Sequence, residues 1–125
     1  MGSSPVIAVF DTNIVIDALN GVPEADTEFD LYERVIISRI TWMEILVGEK
    51  ENDQQLRDFL EGHFEIAPID VAVSDIAVQL RRQHRIRLPD AIIWATAKAY
   101  DAVLVTRNTK DFDLTWDGIR VPYEI

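Results

Sequence analysis

The chain has 125 residues, 22 acidic against 12 basic side chains, a net charge of −10 at neutral pH and no cysteine. Without cysteine there is no disulfide framework, thiolate zinc site or cysteine nucleophile, and two histidines leave little for a histidine-based metal site. Any catalytic metal would need oxygen ligands. At 48% hydrophobic residues, the composition predicts a single globular domain over residues 5–125, preceded by a leader or disordered start at residues 1–4.

Apolar runs of five or six residues are far shorter than the ~18 needed to cross a membrane, and the N-terminus lacks a signal-peptide pattern. We therefore expect a cytoplasmic protein with no membrane partner. Taken alone, the net charge argues against nucleic acid, because proteins bind nucleic acid through basic surface.

Short β-rich runs alternate with helical patterns along the whole chain. In chain order, the predicted strands cover residues 5–10, 35–38, 64–69, 102–106 and 119–123. The predicted helices cover residues 14–19, 40–49, 53–62, 71–84 and 89–100. The acidic stretch 22–30 is interpreted as a loop that leads into a short helix around 29–34. The alternation predicts an α/β fold, a three-layer α/β/α sandwich around a mostly parallel sheet of four or five strands.

Carboxylates stand at the junctions where such a sheet would place a functional crevice, beyond the carboxyl ends of its strands. Asp11 ends the first strand, and Glu44 is predicted in the first turn of the helix after the second strand. Asp90 opens the helix before the fourth strand, and Asp111 follows that strand. These acids are far apart in sequence and form no local motif, so only the fold could bring them together.

Each acid also has a purely structural interpretation. Asp11 could be a helix N-cap, and residues 41–44 fit a capping box. Residues 89–90 fit the start of a helix, and Asp111 could be a surface loop acid. Several carboxylates converging in one crevice would, however, repel one another unless a cation compensated them. Oxygen ligands suit Mg²⁺ or Mn²⁺.

Four segments carry a family resemblance. They are residues 9–13, 38–48, 88–97 and 104–112, which read VFDTN, SRITWMEILVG, LPDAIIWATA and LVTRNTKDF. With these segments the sequence resembles the PIN-domain ribonucleases, and most closely the VapC-type toxins of bacterial toxin–antitoxin pairs. The segments span nearly the whole chain in the family's order, so they are specific jointly although each is short.

The resemblance implies a PIN-like fold and a metal-dependent endoribonuclease, the toxin of a type II toxin–antitoxin pair. It implies hydrolysis of RNA phosphodiester bonds with one or two Mg²⁺ or Mn²⁺ ions, leaving 5′-phosphate and 3′-hydroxyl ends. Asp11, Glu44 and Asp90 fall on the family's acidic metal-site positions. Asp111 is the choice for the fourth position, where Asn108 is the alternative. The sequence leaves open whether Glu44 or Asp111 accepts the proton of the attacking water.

Three short polar side chains stand beside these acids, at Thr12, Asn13 and Thr106. With Asn108, they are predicted to orient ligands or water around the metal. Each could equally be a turn or capping residue.

A basic stretch without acids lies between Asp75 and Asp90. It predicts a rim that holds RNA phosphates or an acidic segment of a partner, and a solvated helix end is the structural alternative. The predicted contact residues are Arg81, Arg82, Arg85 and Arg87, together with Arg39 and Arg107, which adjoin the acidic positions. The family resemblance further implies a homodimer, or a larger assembly, with a cognate VapB-type antitoxin.

Two rival functions remain at the level of sequence. One is a PIN-like binding module without catalysis. The other is a receiver-like phospho-acceptor domain, which needs an acidic pair after the first strand and an acceptor aspartate after the third. Asp11 is followed by Thr12 and Asn13 instead, although Asp70 does follow the third strand.

Overall fold

The computed structural model describes residues 6–124, so the leader predicted at residues 1–4 lies outside the described part of the chain. The strands are β1 Ile7–Phe10, β2 Arg34–Ser38, β3 Glu65–Ala67, β4 Val103–Val105 and β5 Ile119–Arg120. The helices are α1 Thr12–Leu19, α2 Pro23–Phe29, α3 Arg39–Val47, α4 Asp53–His63, α5 Val71–Gln83 and α6 Leu88–Ala99. All strand pairs are parallel, in the order β3-β2-β1-β4-β5.

The two faces of the sheet carry separate hydrophobic cores, because successive strand residues point to opposite sides. Val9 and its neighbours on that face pack with α5 and α6, and the α6 residue Trp94 is buried there. Phe10 and its neighbours on the other face pack with residues of α1 and α4, including Leu60. The predicted three-layer α/β/α sandwich is confirmed.

The segment between α1 and β2 was predicted wrongly. Helix α2 covers Pro23–Phe29, where a loop was expected, and residues 30–33 form a turn instead of a short helix. Pro23 occupies the first turn, where no intrahelical hydrogen bond needs its missing N–H. Acidic side chains in that turn are stabilised by the helix dipole. The acidic composition that suggested a loop therefore belongs to a helix start.

The start of α3 also differs from the prediction. The N-cap is Ser38, whose hydroxyl accepts the N–H of Ile40 at 3.2 Å, and the helix begins at Arg39. Glu44 consequently lies in the second turn, and the capping box predicted over residues 41–44 is wrong. The side chain of Glu44 is left free for other contacts.

The strand order reverses direction at β1, in the centre of the sheet. Strands β2 and β3 are added on one side of β1, and β4 and β5 on the other. Such a switch point is where open α/β folds form a crevice beyond the strand ends. Receivers instead have the strand order 2-1-3-4-5, which sets the third strand beside the first. Here β3 is at the edge of the sheet, and the Asp70 carboxylate caps α5 by accepting the N–H of Val73 at 2.9 Å. The receiver-like alternative does not fit this topology.

Candidate metal centre

Asp11 lies at the switch point, buried at the start of α1. Its Oδ1 accepts the N–H of Thr12 at 2.8 Å, as a helix N-cap does. Its Oδ2 accepts the Thr106 hydroxyl at 2.7 Å and the Asn13 amide at 3.2 Å. Burial, together with the Glu44 charge, raises the pKa of Asp11. All of these donors are neutral, and within residues 6–124 no basic side chain forms a salt bridge with Asp11.

Asp90 lies in the first turn of α6 and is only 5% exposed. Its Oδ2 is buried and has no hydrogen-bond partner among the described residues. The nearest cation is the exposed Arg87, whose Nε lies 3.5 Å from that oxygen. Burial and the charge of Asp11 raise the pKa of Asp90 to about 6, against a lowering by Arg87. Asp11 and Asp90 thus form a pair of neighbouring buried carboxylates that favour the capture of a cation or a proton.

Asp111 and Asn108 are joined by two hydrogen bonds in the turn after β4. The Asn108 amide donates to Asp111 Oδ2 at 2.8 Å, and the Asp111 N–H donates to Asn108 Oδ1 at 3.3 Å. Arg87 Nη2 is 3.8 Å from the same Asp111 oxygen. The Asn108 hydrogen bond is the main cause that lowers the pKa of Asp111, and Asp90 contributes as well. This arrangement makes Asp111 the carboxylate of the turn and Asn108 its hydrogen-bond partner.

Glu44 reaches the site from α3 and is exposed. Its Oε1 accepts the Thr12 hydroxyl at 2.8 Å, and the Thr12 oxygen is 3.0 Å from the hydroxyl of Thr41. Thr41 is completely buried, and the sequence marks it only as part of a capping box, not as a residue of the site. Its place one helical turn before Glu44, on the same face of α3, is the signal that could have found it.

Arg107 does not join the basic rim, contrary to the prediction. Its Nε and Nη2 donate to the two carboxylate oxygens of Asp17 at 2.6 and 2.9 Å, and Asp17 also accepts the Tyr123 hydroxyl at 2.9 Å. The guanidinium is therefore already used in a buried ion pair. Arg39 lies with its guanidinium 4.8 Å from the centre of the Trp42 ring, a cation–π contact.

The four remaining arginines do form a rim. They line a hollow of about 510 Å³ that opens next to Asp111. These residues are Arg81, Arg82, Arg85 and Arg87, and all four are exposed. In the part of the chain that the structure describes, only Arg87 among them lies within salt-bridge distance of an acid. Among the described residues, Arg81, Arg82 and Arg85 therefore offer positive charge without an acidic partner in a hollow that borders Asp111.

The donors fit a hard cation that keeps part of its water shell. Within residues 6–124, no three His, Asp or Glu side chains come together as a ready-made metal cage. The buried pair Asp11 and Asp90 offers carboxylate oxygens, one of them without a partner, and Asp111 lies beside Asp90. Mg²⁺ is commonly bound by one or two carboxylates plus waters and substrate phosphates, which this donor set matches.

A family model for the PIN domain matches residues 8–115. The chain belongs to the PIN domain family. This match spans the four acids and the polar residues around them, from Thr12 to Asp111. The family resemblance predicted from the sequence is confirmed. No match was found among curated proteins. No helix within residues 6–124 is long and apolar enough to cross a membrane.

Solved structures of similar fold agree with this family. This PIN domain is 43% identical to a chain of a toxin–antitoxin complex from Klebsiella pneumoniae, with a TM-score of 0.87, covering 94% of this chain and 99% of that one. It is 26% identical to a chain of VapBC2 from Rickettsia felis bound to a promoter DNA fragment, with a TM-score of 0.73 and coverage of 86% and 91%. It is 25% identical to a chain of FitAcB from Neisseria gonorrhoeae, with a TM-score of 0.75 and coverage of 94% and 99%.

Proposed function

We propose that this PIN domain is a divalent-cation-dependent endoribonuclease and the toxin of a type II toxin–antitoxin pair. The observation that carries the proposal is the buried pair Asp11 and Asp90. Within residues 6–124, Asp11 has no salt bridge, and Asp90 has only the exposed Arg87, whose Nε lies 3.5 Å from an Oδ2 that accepts no hydrogen bond. Burying ionised carboxylates is costly unless a cation or hydrogen bonds compensate them. A divalent cation would supply that compensation. Similarity to chains of toxin–antitoxin structures supports the toxin assignment.

Asp11 and Asp90 would hold one or two Mg²⁺ or Mn²⁺ ions, with Asp111 and Glu44 completing the acidic site. When bound, such an ion polarises a phosphate, makes water a better nucleophile at neutral pH and stabilises charge on the leaving oxygen. The hydrogen bonds from Thr106 and Asn13 fix the Asp11 carboxylate before the substrate arrives. A fixed carboxylate needs no reorganisation during the reaction, which is the benefit of a preorganised site.

Glu44 is the better candidate to accept the proton of the attacking water. It is exposed, so it can pass the proton to solvent, and the Thr12 hydroxyl holds one of its oxygens while the other is available. Asp111 is a weaker base, because the Asn108 hydrogen bond lowers its pKa. Asp111 therefore contributes charge to the cation site in this proposal, and Glu44 contributes basicity.

RNA would approach over the arginine rim, where phosphates meet the guanidinium groups of Arg81, Arg82, Arg85 and Arg87. The rest of the surface is acidic, since the net charge is −10, so binding away from the rim is weak. We propose that a VapB-type antitoxin blocks this rim with an acidic segment. We also propose that the toxin is a homodimer, alone or within a larger toxin–antitoxin assembly, and acts in the cytoplasm.

The test is incubation of the purified protein with total RNA, with Mg²⁺, with Mn²⁺ or with a chelator, followed by mapping of the cut ends. We expect cation-dependent cuts that leave 5′-phosphate and 3′-hydroxyl ends, and growth arrest when the protein is expressed without its antitoxin. The Asp11→Asn variant is the matched control and should do neither. A well-folded wild-type protein that cuts no RNA with either cation would support a PIN-like binding module instead.

A further inference from the structure

We propose that Arg107 is a positioning residue that holds the turn 106–111 in place next to Asp11. It does so through its ion pair with Asp17, which also accepts a hydrogen bond from Tyr123. The inference rests on the proposed function for its consequence, cation binding. The placement of the turn itself can be measured without any cation. Arg107 makes no hydrogen bond or salt bridge to Asp11, Glu44, Asp90 or Asp111, so its effect on them passes through the turn.

Arg107 attaches the turn to α1 at two points one helical turn apart. Its backbone N–H donates to the Asn13 side-chain oxygen at 3.1 Å. Its guanidinium donates to both oxygens of Asp17, four residues further along the same helix. A planar guanidinium with two parallel bonds has a fixed orientation, which a single flexible contact would not give. The residue is thereby locked against α1 by both its main chain and its side chain.

The locked residue lies between two that touch the acids. Thr106, on one side, donates its hydroxyl to Asp11 and accepts the N–H of Asn108 at 2.9 Å. Asn108, on the other side, exchanges hydrogen bonds with Asp111. A shift of Arg107 would therefore move the hydrogen-bond donor of Asp11 and the support of Asp111 together. Outer partners of this kind commonly change metal affinity about 10–100-fold when they are removed.

Tyr123, in the segment after β5, also contributes to this ion pair. Its hydroxyl donates to Asp17 Oδ2, the oxygen that also accepts Arg107 Nε. Asp17 is almost completely buried, so these two donors replace contacts that water would otherwise make with its carboxylate. The segment after β5 thus helps to hold a turn that lies about fifteen residues earlier in the chain.

The chain offers a matched control. Arg120 binds both oxygens of the buried Glu28 at 2.6 and 2.9 Å, and Tyr32 donates to the same carboxylate. This ion pair joins β5 to α2 and has no side-chain contact with the acids of the candidate site. The backbone carbonyl of Arg120 accepts the N–H of Thr106 at 3.0 Å, and a side-chain substitution retains that bond.

The experiment compares Arg107→Met with Arg120→Met, each of which removes one guanidinium from a bidentate pair with a buried carboxylate. Mn²⁺ affinity is measured by calorimetry, and amide hydrogen exchange is measured over residues 106–112 without cation. We expect Arg107→Met to weaken Mn²⁺ binding about 10–100-fold and to speed exchange at Asn108 and Asp111. Arg120→Met should leave both close to wild type. Removing a positive charge alone would strengthen cation binding, so the expected sign is opposite to simple electrostatics.

Two further variants separate geometry from charge and from loss of folding. Arg107→Lys keeps the charge but lacks the planar fork, so it should remain impaired in Mn²⁺ binding. If Arg107→Met does not fold, Tyr123→Phe removes a single hydroxyl and should still speed exchange in the turn more than Tyr32→Phe does.

The outcomes distinguish the two proposals. Equal exchange and equal Mn²⁺ affinity in the Arg107 and Arg120 variants would overturn the positioning role while leaving the proposed function intact. A wild-type protein that binds no Mn²⁺ would contradict the proposed function, and faster exchange confined to residues 106–112 of Arg107→Met would still support the positioning role.

Discussion

Within residues 6–124 the protein buries four carboxylates in two contrasting environments. Asp17 and Glu28 each receive a bidentate arginine and a tyrosine hydroxyl. Asp11 receives only neutral donors, and Asp90 keeps an oxygen without a partner. The same chain therefore compensates two of its buried charges fully and leaves two others open.

The difference also appears in proton affinity. Burial raises the pKa of Glu28, but the hydrogen bonds from Arg120 and Tyr32 outweigh it, so the net change is a lowering. For Asp90, burial and the neighbouring Asp11 charge prevail and the pKa rises to about 6. Burial alone does not separate the acids that we assign to the cation site from those in ion pairs, since all four are almost equally buried. A bidentate arginine separates them better, since Asp17 and Glu28 each have one. Among the described residues, Asp90 has only Arg87 at 3.5 Å and Asp11 has no salt bridge.

The largest expected effect comes from breaking the uncompensated pair. Asp11→Asn keeps the size of the side chain and removes the charge that we assign to the cation site. RNA cleavage should fall by at least about 100-fold, the loss typical of a group that acts electrostatically on the reacting centre. The free energy of unfolding should stay the same or rise, because a buried charge has been removed. Cleavage assays and urea titrations on one preparation check both; full activity in this variant would refute the assignment.

The opposite effect on stability is expected at the compensated pair of Asp17 and Arg107. Asp17→Asn leaves the Arg107 guanidinium without its carboxylate, and breaking a fully buried pair costs about 3–5 kcal/mol. Arg107 keeps some contact with water, so we expect the free energy of unfolding to fall by about 2–4 kcal/mol. Urea denaturation measures the change. If Asp17→Asn and Asp11→Asn shift stability equally, the distinction between the two environments is wrong.

The pH dependence of stability should reveal Asp90. Because its folded pKa of about 6 exceeds the ordinary value of 3.8, folding favours its protonated form and stability is lost as pH rises through that window. At pH 7.5 without cation, Asp90→Asn should therefore have a higher Tm than wild type, by at least about 3 °C. The difference should narrow at pH 5 and vanish only at or below the ordinary pKa of 3.8, where the unfolded chain also holds the proton. Thermal unfolding at both pH values provides the check; a difference that widens on acidification would contradict the raised pKa.

The smallest effect is expected at the exposed rim. Arg82→Ala removes one guanidinium that contacts no acid among the described residues, so stability should change by less than about 0.5 kcal/mol. The substitution is tested together with Asp11→Asn, which prevents cleavage. RNA binding should weaken, and the slope of log K against log salt should fall by the equivalent of about one phosphate contact. Arg57→Ala, outside the hollow, serves as control for the loss of one arginine. A salt dependence unchanged by Arg82→Ala would remove this residue from the RNA path.

The sequence predicted the architecture well where local signals agreed with one another. The strand runs around Val9 and Ile36 and the apolar helix around Trp94 lie where the pattern placed them. The prediction failed at residues 22–34, where acidic composition was taken for a loop although Pro23 begins a helix. Helix starts and loops share polar residues, and only tertiary packing decides between them.

For the site, the sequence identified the acids but not their partners. Asp11 and Asp90 could be named from strand ends and family resemblance, and the structure places them together at the switch point. Arg107 was assigned to the rim because it adjoins the acids in sequence. Its real partner, Asp17, is 90 residues away in the chain, and no local pattern encodes a contact at that distance. Side-chain direction, unlike residue type, depends on the folded neighbourhood.

The central claim is that the buried pair Asp11 and Asp90, which has only the exposed Arg87 as a nearby cationic side chain among the described residues, holds a divalent cation. Anomalous diffraction from crystals soaked in Mn²⁺ at pH 7.5 tests it most directly. We predict a manganese peak coordinated by carboxylate oxygens of both residues, and no peak there in Asp11→Asn. A well-ordered wild-type crystal at saturating Mn²⁺ with no peak at this pair would contradict the account.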